Sequence, residues 1–369
     1  MASMPLSPPS PAHDRLALIE QARRAVLDGR NPEAGPRLAP WVARSWRRCL
    51  QQGLDPRHSV NFDPVSAAQV RRAMEASQPL LQAATPVIRS LSRAMAHTRY
   101  FAILTDAQGV VIDVNGPVDL HEPSVSRIAR LGVDLSERAV GTTAIGMALT
   151  DLQPVWLHRG EHFFDATSIY SCAGAPIWDP DGRCVGMLDL TGVNVTEQPA
   201  LKHLVSQSAR SIENALALAR PHHLLLRMNW PGRVLGDDSD GLVCLDADGA
   251  ITGLNRPAAD MLCVPTGQEA GHASLYFAAP VESLFDAATA HLGAQEVPLW
   301  SGLRLQVLAQ PERRAARSAP APQGVPLKDF ETSMIRKAVD DARGNVMEAA
   351  RALGISRATI YRKLGAKRR

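Results

Sequence analysis

Apolar residues along this chain keep two rhythms, one helical and one strand-like. Between Asp14 and Asp28, "DRLALIEQARRAVLD" places them at helical spacing, with Asp14 positioned as an N-cap. After a Pro/Gly-rich break, "WVARSWRRCLQQGLDP" predicts a second helix that Gly53 and Pro56 end. Residues 64–98 return to the helical period, with an interruption expected near Pro79 and Pro86. At Tyr100 the period shortens. "YFAILTDAQGVVIDVNG" is two apolar runs joined by Asp-Ala-Gln-Gly, and "GAPIWDPDGRCVGMLDLTG" repeats the arrangement around Asp-Pro-Asp-Gly, so both predict β-hairpins. Between them lie the Gly-rich "AVGTTAIGMALTD" and a short strand candidate, "PVWLH".

"EQPALKHLVSQSARSIENALALAR" predicts a long amphipathic helix that stops before Pro221. A third hairpin follows in "DGLVCLDADGAITGLN", then a short helix in "RPAADMLCV" capped by Asn255, and strand-like alternation in "PLWSGLRLQVLAQ". Helices around an antiparallel sheet, then a smaller mixed unit, give an α+β multidomain fold class. Residues 311–326, "PERRAARSAPAPQGVP", are rich in Pro, Ala and Arg and read as a linker.

The last segment predicts three helices. "LKDFETSMIRKAVDDAR" carries Phe330, Met334, Ile335, Ala338 and Val339 on one stripe and is stopped by Gly344. Asn345 caps "VMEAARAL", Gly354 makes a tight turn, and Ser356 caps "RATIYRKL". Ala350 lets two helices approach, Gly354 permits the turn, and Ile360 anchors the third helix. This is the spacing of a helix-turn-helix, whose second helix enters the major groove. With Ile360 and Leu364 inward, Arg357, Tyr361 and Arg362 face outward and Thr359 lies at the edge. Arginine pairs in a bidentate way with guanine, and a threonine methyl suits the thymine methyl. Lys363, Lys367, Arg368 and Arg369 suit phosphate.

Charge sharpens this picture. The whole chain carries a net charge of +3, yet from Leu327 to Arg369 eleven Lys/Arg face five Asp/Glu. A basic end on a near-neutral body points to a polyanion partner. The five cysteines are scattered, odd in number and never spaced C-x-x-C, which argues against a zinc ribbon or disulfide framework and fits a reducing compartment. No apolar run is long enough for a membrane span, and the Pro/Ser-rich start lacks the layout of a signal peptide, so a cytoplasmic location with no membrane partner is expected.

The segment "GNVMEAARALGISRATIYRKL" resembles the Fis-type DNA-binding domain that ends bacterial enhancer-binding transcriptional activators. Upstream, "WVARSWRRCLQQGLDP", "LSERAVGTTAIGMAL" and "EHFFDATSIYSCAGAPIWDPDGRCVGMLDLTG" resemble the acetoin-catabolism-regulator type, the first as its N-terminal signature and the others as its GAF domain. Residues 234–310 are similar, more weakly, to a compact PAS domain. The resemblance implies an N-terminal helical region at 1–83, a GAF-like sensor at 84–220, a PAS-like unit at 221–310, a linker at 311–326 and a Fis-type helix-turn-helix at 327–369. In that family a motor ATPase domain lies between sensor and DNA reader. Here Pro311 to Pro326 occupy that place, and neither a G-x-x-x-x-G-K-[ST] phosphate loop nor a "GAFTGA" loop is present.

The resemblance implies a sequence-specific DNA-binding regulator without ATP-driven activation. It would bind palindromic double-stranded DNA as a homodimer, with a small-molecule effector and contact with RNA polymerase among its further partners. The DNA-binding residues would be Ser356, Arg357, Thr359, Tyr361, Arg362, Lys363 and Lys367. Glu137, Thr142, Thr143, His162 and Cys172 are the candidate ligand-binding residues of the GAF-like region. The same residues have plainer uses: Thr142 as a helix cap, His162 as a loop support, Cys172 as core. His158, Glu161, His162 and Cys172 form a loose cluster whose spacing fits no metal motif, and no cofactor is expected. With no nucleophile elbow or paired catalytic carboxylates, the chain reads as a non-enzyme. The alternative function is a nucleoid-associated architectural protein that binds DNA without a ligand.

Overall fold

A computed structural model describes residues 11–27, 38–265 and 267–312, together with Val346, Met347, Ala350 and Ile360 near the C-terminus. The chain divides into two compact units, Met1–Glu312 and Arg313–Arg369.

The first unit begins with helices: α1 (Pro11–Val26), α2 (Pro40–Gln51), α3 (Ala67–Ala76) and α4 (Gln78–Ala94). Helix α1 starts at Pro11, ahead of the N-cap assigned to Asp14, because proline's fixed φ suits a first helical turn. The break between α3 and α4 falls at Ser77. Pro79 sits in the first turn of α4, where its missing N–H costs nothing, and the helix continues through Pro86.

Strands β1 (Tyr100–Asp106) and β2 (Val111–Asn115) form the first hairpin. Short helices α5 (Pro123–Ile128), α6 (Glu137–Val140) and α7 (Ala144–Asp151) fill the Gly-rich stretch, followed by β3 (Val155–His158), β4 (Tyr170–Trp178), β5 (Cys184–Val193) and helix α8 (Leu201–Leu218). The sheet is antiparallel in the order β2-β1-β5-β4-β3. It is covered on both faces. Tyr100, Ala102 and Leu104 turn toward Leu80, Ala84, Ile88 and Leu91 of α4 and toward Val205, Ala209 and Ile212 of α8. Phe101 and Ile103, their neighbours in β1, turn the other way, toward Val42, Trp46 and Cys49 of α2 and toward α5–α7. Gly174, opposite Asp189 in the register, lets the sheet meet the start of α7: a Cβ there would lie 3.1 Å from the Ala144 carbonyl oxygen and 2.5 Å from the Met187 methyl.

A second antiparallel sheet follows, from β6 (Leu224–Asn229), β7 (Gly241–Leu245), β8 (Ile251–Leu254), β9 (Gln295–Pro298) and β10 (Arg304–Pro311), in the order β8-β7-β6-β10-β9. Helices α9 (Arg256–Leu262) and α10 (Val281–Thr289) cover it. Asn255 caps α9 as expected, and all of its hydrogen-bonding capacity is used. Oδ1 accepts from Ala258 N at 3.0 Å and Leu242 N at 2.8 Å, and Nδ2 donates to Asn214 of α8 at 2.7 Å and to the Asp240 carbonyl at 2.8 Å.

The three expected hairpin turns share one mechanism. Asp106, Asp179 and Asp246 each accept backbone N–H groups two and four residues on, at 2.8–3.0 Å. Each turn is completed by a glycine at positive φ, Gly109 (88°), Gly182 (74°) and Gly249 (88°).

In the second unit, Val346, Met347, Ala350 and Ile360 are helical, and Ala350 and Ile360 are buried. These two are the positions that the helix-turn-helix spacing assigns to close approach and anchoring.

Candidate functional site

The five candidate ligand residues of the GAF-like region separate into two groups. Glu137 and Thr142 enter a network anchored by α2. Arg48 donates from Nε to Glu137 Oε1 at 2.7 Å and from Nη2 to Oε2 at 2.8 Å, a bidentate pair that raises the guanidinium pKa above its ordinary value. Ser45 Oγ donates to Glu137 Oε2 at 2.6 Å, and the Thr142 hydroxyl lies 2.7 Å from Ser45 Oγ and donates to it. Arg44 reaches Asp151 at 2.9 Å. Trp46, fully buried, donates its indole N–H to the Glu161 carbonyl at 2.9 Å. The "WVARSWRR" stretch is therefore a clasp that pins α2 to α6, α7 and the loop after β3.

Thr143, His162 and Cys172 come together elsewhere, around a cavity of about 30 Å³ between the sheet and α7. Thr143, rather than Thr142, is the helix cap: its Oγ1 accepts from Gly146 N at 3.0 Å. The floor of the cavity is β4 and β5, which contribute Cys172, Asp189 and Thr191. Asp189 is fully buried, and its Oδ2 accepts the Thr191 hydroxyl. Cys172 Sγ lies 3.3 Å from Thr191 Oγ1, and burial pushes its thiol pKa well up. Tyr170 spends its hydroxyl on the Ser124 carbonyl at 2.8 Å, so it offers the cavity only its ring.

Asp189 Oδ1 and His162 Nε2, both buried, have no hydrogen-bond partner among the described residues. Most buried polar atoms are satisfied, so these two are exceptions. Burial raises the Asp189 carboxyl to about 7, against the Thr191 hydrogen bond that favours its charge. Burial lowers the His162 imidazole to about 4, with the Arg159 carbonyl opposing the shift.

His162 rides on a loop held from outside by α1. Arg23 donates to the carbonyls of Gly160 (2.9 Å), His162 (2.6 Å) and Phe163 (3.1 Å), and Arg15 pairs with Glu161 at 2.8 Å. Sequence reasoning missed Asp189 and Thr191. The available signal was an aspartate in "MLDLTG", inside a strand buried on both faces, where a carboxylate has no structural reason to be.

Among the described residues no group of three or more His, Cys, Asp or Glu side chains could hold a metal ion, and no helix is long and apolar enough to cross a membrane. The candidate DNA contacts Ser356, Arg357, Thr359, Tyr361, Arg362, Lys363 and Lys367 lie outside the described residues.

Comparison with known proteins adds three kinds of match. The chain is 32% identical over 259 residues to the acetoin catabolism regulatory protein of Cupriavidus necator, covering 68% of this chain and 38% of that protein. It is 30% identical to the acetoin dehydrogenase operon transcriptional activator AcoR of Bacillus subtilis (54% and 33% covered) and 31% identical to the propane 2-monooxygenase operon transcriptional activator MimR of Mycolicibacterium goodii (48% and 30% covered). The matches thus span well under half the length of these relatives. Among solved structures, the crystal structure of the E. coli DhaR(N)-DhaL complex is 18% identical, with a TM-score of 0.45 over 74% of this chain and 100% of that one. Residues 326–366 match the family "Bacterial regulatory protein, Fis family". Residues 24–214, more than half of the chain, match the family "MimR, N-terminal domain", and to that family this protein belongs.

Proposed function

We propose that this protein is a sequence-specific DNA-binding transcriptional regulator in which a GAF-like sensory region controls a Fis-type helix-turn-helix. The match of residues 326–366 to Fis-family regulatory proteins carries this reading, and the net positive charge of the same segment agrees with it. The relatives named for acetoin and propane 2-monooxygenase control are regulators, which supports the same role. The sensor spans residues 84–220 and the PAS-like unit residues 221–310. The linker is 311–326, whose first residue, Pro311, also closes β10, and the DNA reader is 327–369, working in the cytoplasm.

A homodimer places two recognition helices about one helical turn apart on a palindromic site. Ser356, Arg357, Thr359, Tyr361, Arg362, Lys363 and Lys367 make the DNA contacts. A ligand in the cavity of Thr143, His162 and Cys172 biases the arrangement of the readers by binding one arrangement more tightly than the other. Glu137 and Thr142 support that cavity through α2. With the sixteen residues from Pro311 to Pro326 between sensor and reader, site occupancy or direct contact with RNA polymerase regulates transcription, without ATP-driven remodelling. A gel-shift assay with genomic fragments selected by the full chain tests this. Deleting residues 327–369 is expected to abolish specific binding, and unchanged binding by the truncated chain refutes the proposal.

A further inference from the structure

We infer that α8 welds the two sheets into one rigid body and holds the start of the linker in it, so that the second sheet is a fixed relay between sensor and DNA reader. The inference rests on the regulator reading and names the route by which the sensory region acts.

Helix α8 has two working faces. Val205, Ala209, Ile212 and Leu216 pack with Ala173, Ala175 and Leu190 of the first sheet. Another side meets the second sheet. There, alternation along β7 sends Val243 and Leu245 toward α9 and α10 and leaves Leu242 and Cys244 on the opposite face, beside Leu225 of β6. All three are buried, and the Cys244 thiol donates to the Ala217 carbonyl of α8 at 3.3 Å. One helix thus belongs to the packing of both sheets.

Polar contacts fix the register of that packing. Asn214 of α8, itself buried, accepts from Asn255 Nδ2 at 2.7 Å and donates to the Asp238 carbonyl at 3.2 Å. A buried amide satisfied in one arrangement is stranded in any other. The β4–β5 turn closes on β8 as well. The Pro180 carbonyl accepts from Leu254 N at 3.1 Å, and Arg220 pairs with Asp181. Gly253 permits this approach: a Cβ there would lie 2.9 Å from Pro180 Cβ and 3.0 Å from Arg220 Cγ.

The output lies where the same helix ends. Residues 219–223 connect α8 to β6, and the Pro221 carbonyl in that connector accepts the Thr252 hydroxyl at 3.1 Å. The next tie is to β10. Leu224 pairs with Pro311 in the register, and the His223 carbonyl accepts from Glu312 N at 3.0 Å. The chain therefore leaves for the DNA reader from beside the connector of α8, and a displacement of the helix carries that point with it.

Native-state hydrogen exchange of the full chain over a urea series, resolved by peptide, tests the weld. In the wild-type chain β4–β5, β7–β8 and β10 are expected to open together, with opening constants that agree within about three-fold. Gly253→Val wedges β8 away from the turn, and Asn214→Leu removes the amide. In each, β7–β8 and β10 should exchange about ten-fold faster or more relative to β4–β5. Separate opening of β7–β8 or β10 in the wild-type chain overturns the inference, and so does joint opening retained in folded variants. Should Gly253→Val fail to fold, Asn214→Leu and the wild-type comparison decide. DNA does not enter this measurement, so its failure leaves the regulator reading to be judged by the deletion experiment.

Discussion

The clasp around Glu137 and the cavity around Asp189 lie in the same core, and each holds a carboxyl group that is at most 7% exposed. Their surroundings differ in kind. Both Glu137 oxygens are engaged, by a bidentate arginine and a serine hydroxyl. Asp189 keeps one oxygen without a partner. A buried charge with its partners in place holds a fold together, whereas a buried polar atom without one weakens the fold and persists only if something else makes use of it. Residue type alone does not separate these cases, and partnership does.

The contrast can be broken at either end. The largest effect is expected from Arg48→Met, which strands the Glu137 carboxylate in the core and should lower stability by about 3–4 kcal/mol in denaturant unfolding. Loss under 1 kcal/mol would remove the clasp from the account. His162→Phe probes the other region through pH. The imidazole pKa is about 4 in the folded chain, below its ordinary value of 6.5, so the neutral form is favoured by folding. Its contribution is complete above pH 6.5 and is lost as pH falls toward 4, by about 2–3 kcal/mol. Replacing it with phenylalanine should flatten the stability curve over that window, and an unchanged slope would contradict the burial assigned to His162. The smallest effect is expected from Thr143→Ala, about 1 kcal/mol from a lost helix cap.

Much of the frame was legible because its signals are local. Asp-x-x-Gly between apolar runs is a turn with its own hydrogen bonds, and all three such turns form. Strand β6 was not anticipated: "LLLRMN" is a short apolar run that reads equally as buried helix. Helix α10 was readable in principle, since Val281, Leu284, Ala287 and Ala288 fall at helical spacing, but no expectation was attached to it. Within the site, Thr143, His162 and Cys172 were singled out from the sequence, yet their separation from Glu137 and Thr142 depends on contacts between residues about 90 positions apart. Asp189 was hidden because its neighbours Leu188 and Leu190 point to the opposite face, which the letters "LDL" do not reveal.

One paired measurement tests the division directly: unfolding of Glu137→Gln and Asp189→Asn side by side at pH 8. Folding raises the Asp189 pKa from the ordinary 3.8 to about 7, so the wild-type chain carries a penalty that grows as pH rises between those values and is complete at pH 8. Asparagine does not titrate and escapes that penalty. Glu137→Gln is expected to lose about 2 kcal/mol with its ion pair, and Asp189→Asn to gain about 2 kcal/mol or more. Destabilisation of both variants by similar amounts would mean that Asp189 is a structural residue like Glu137, and the cavity would lose its claim to be a binding site.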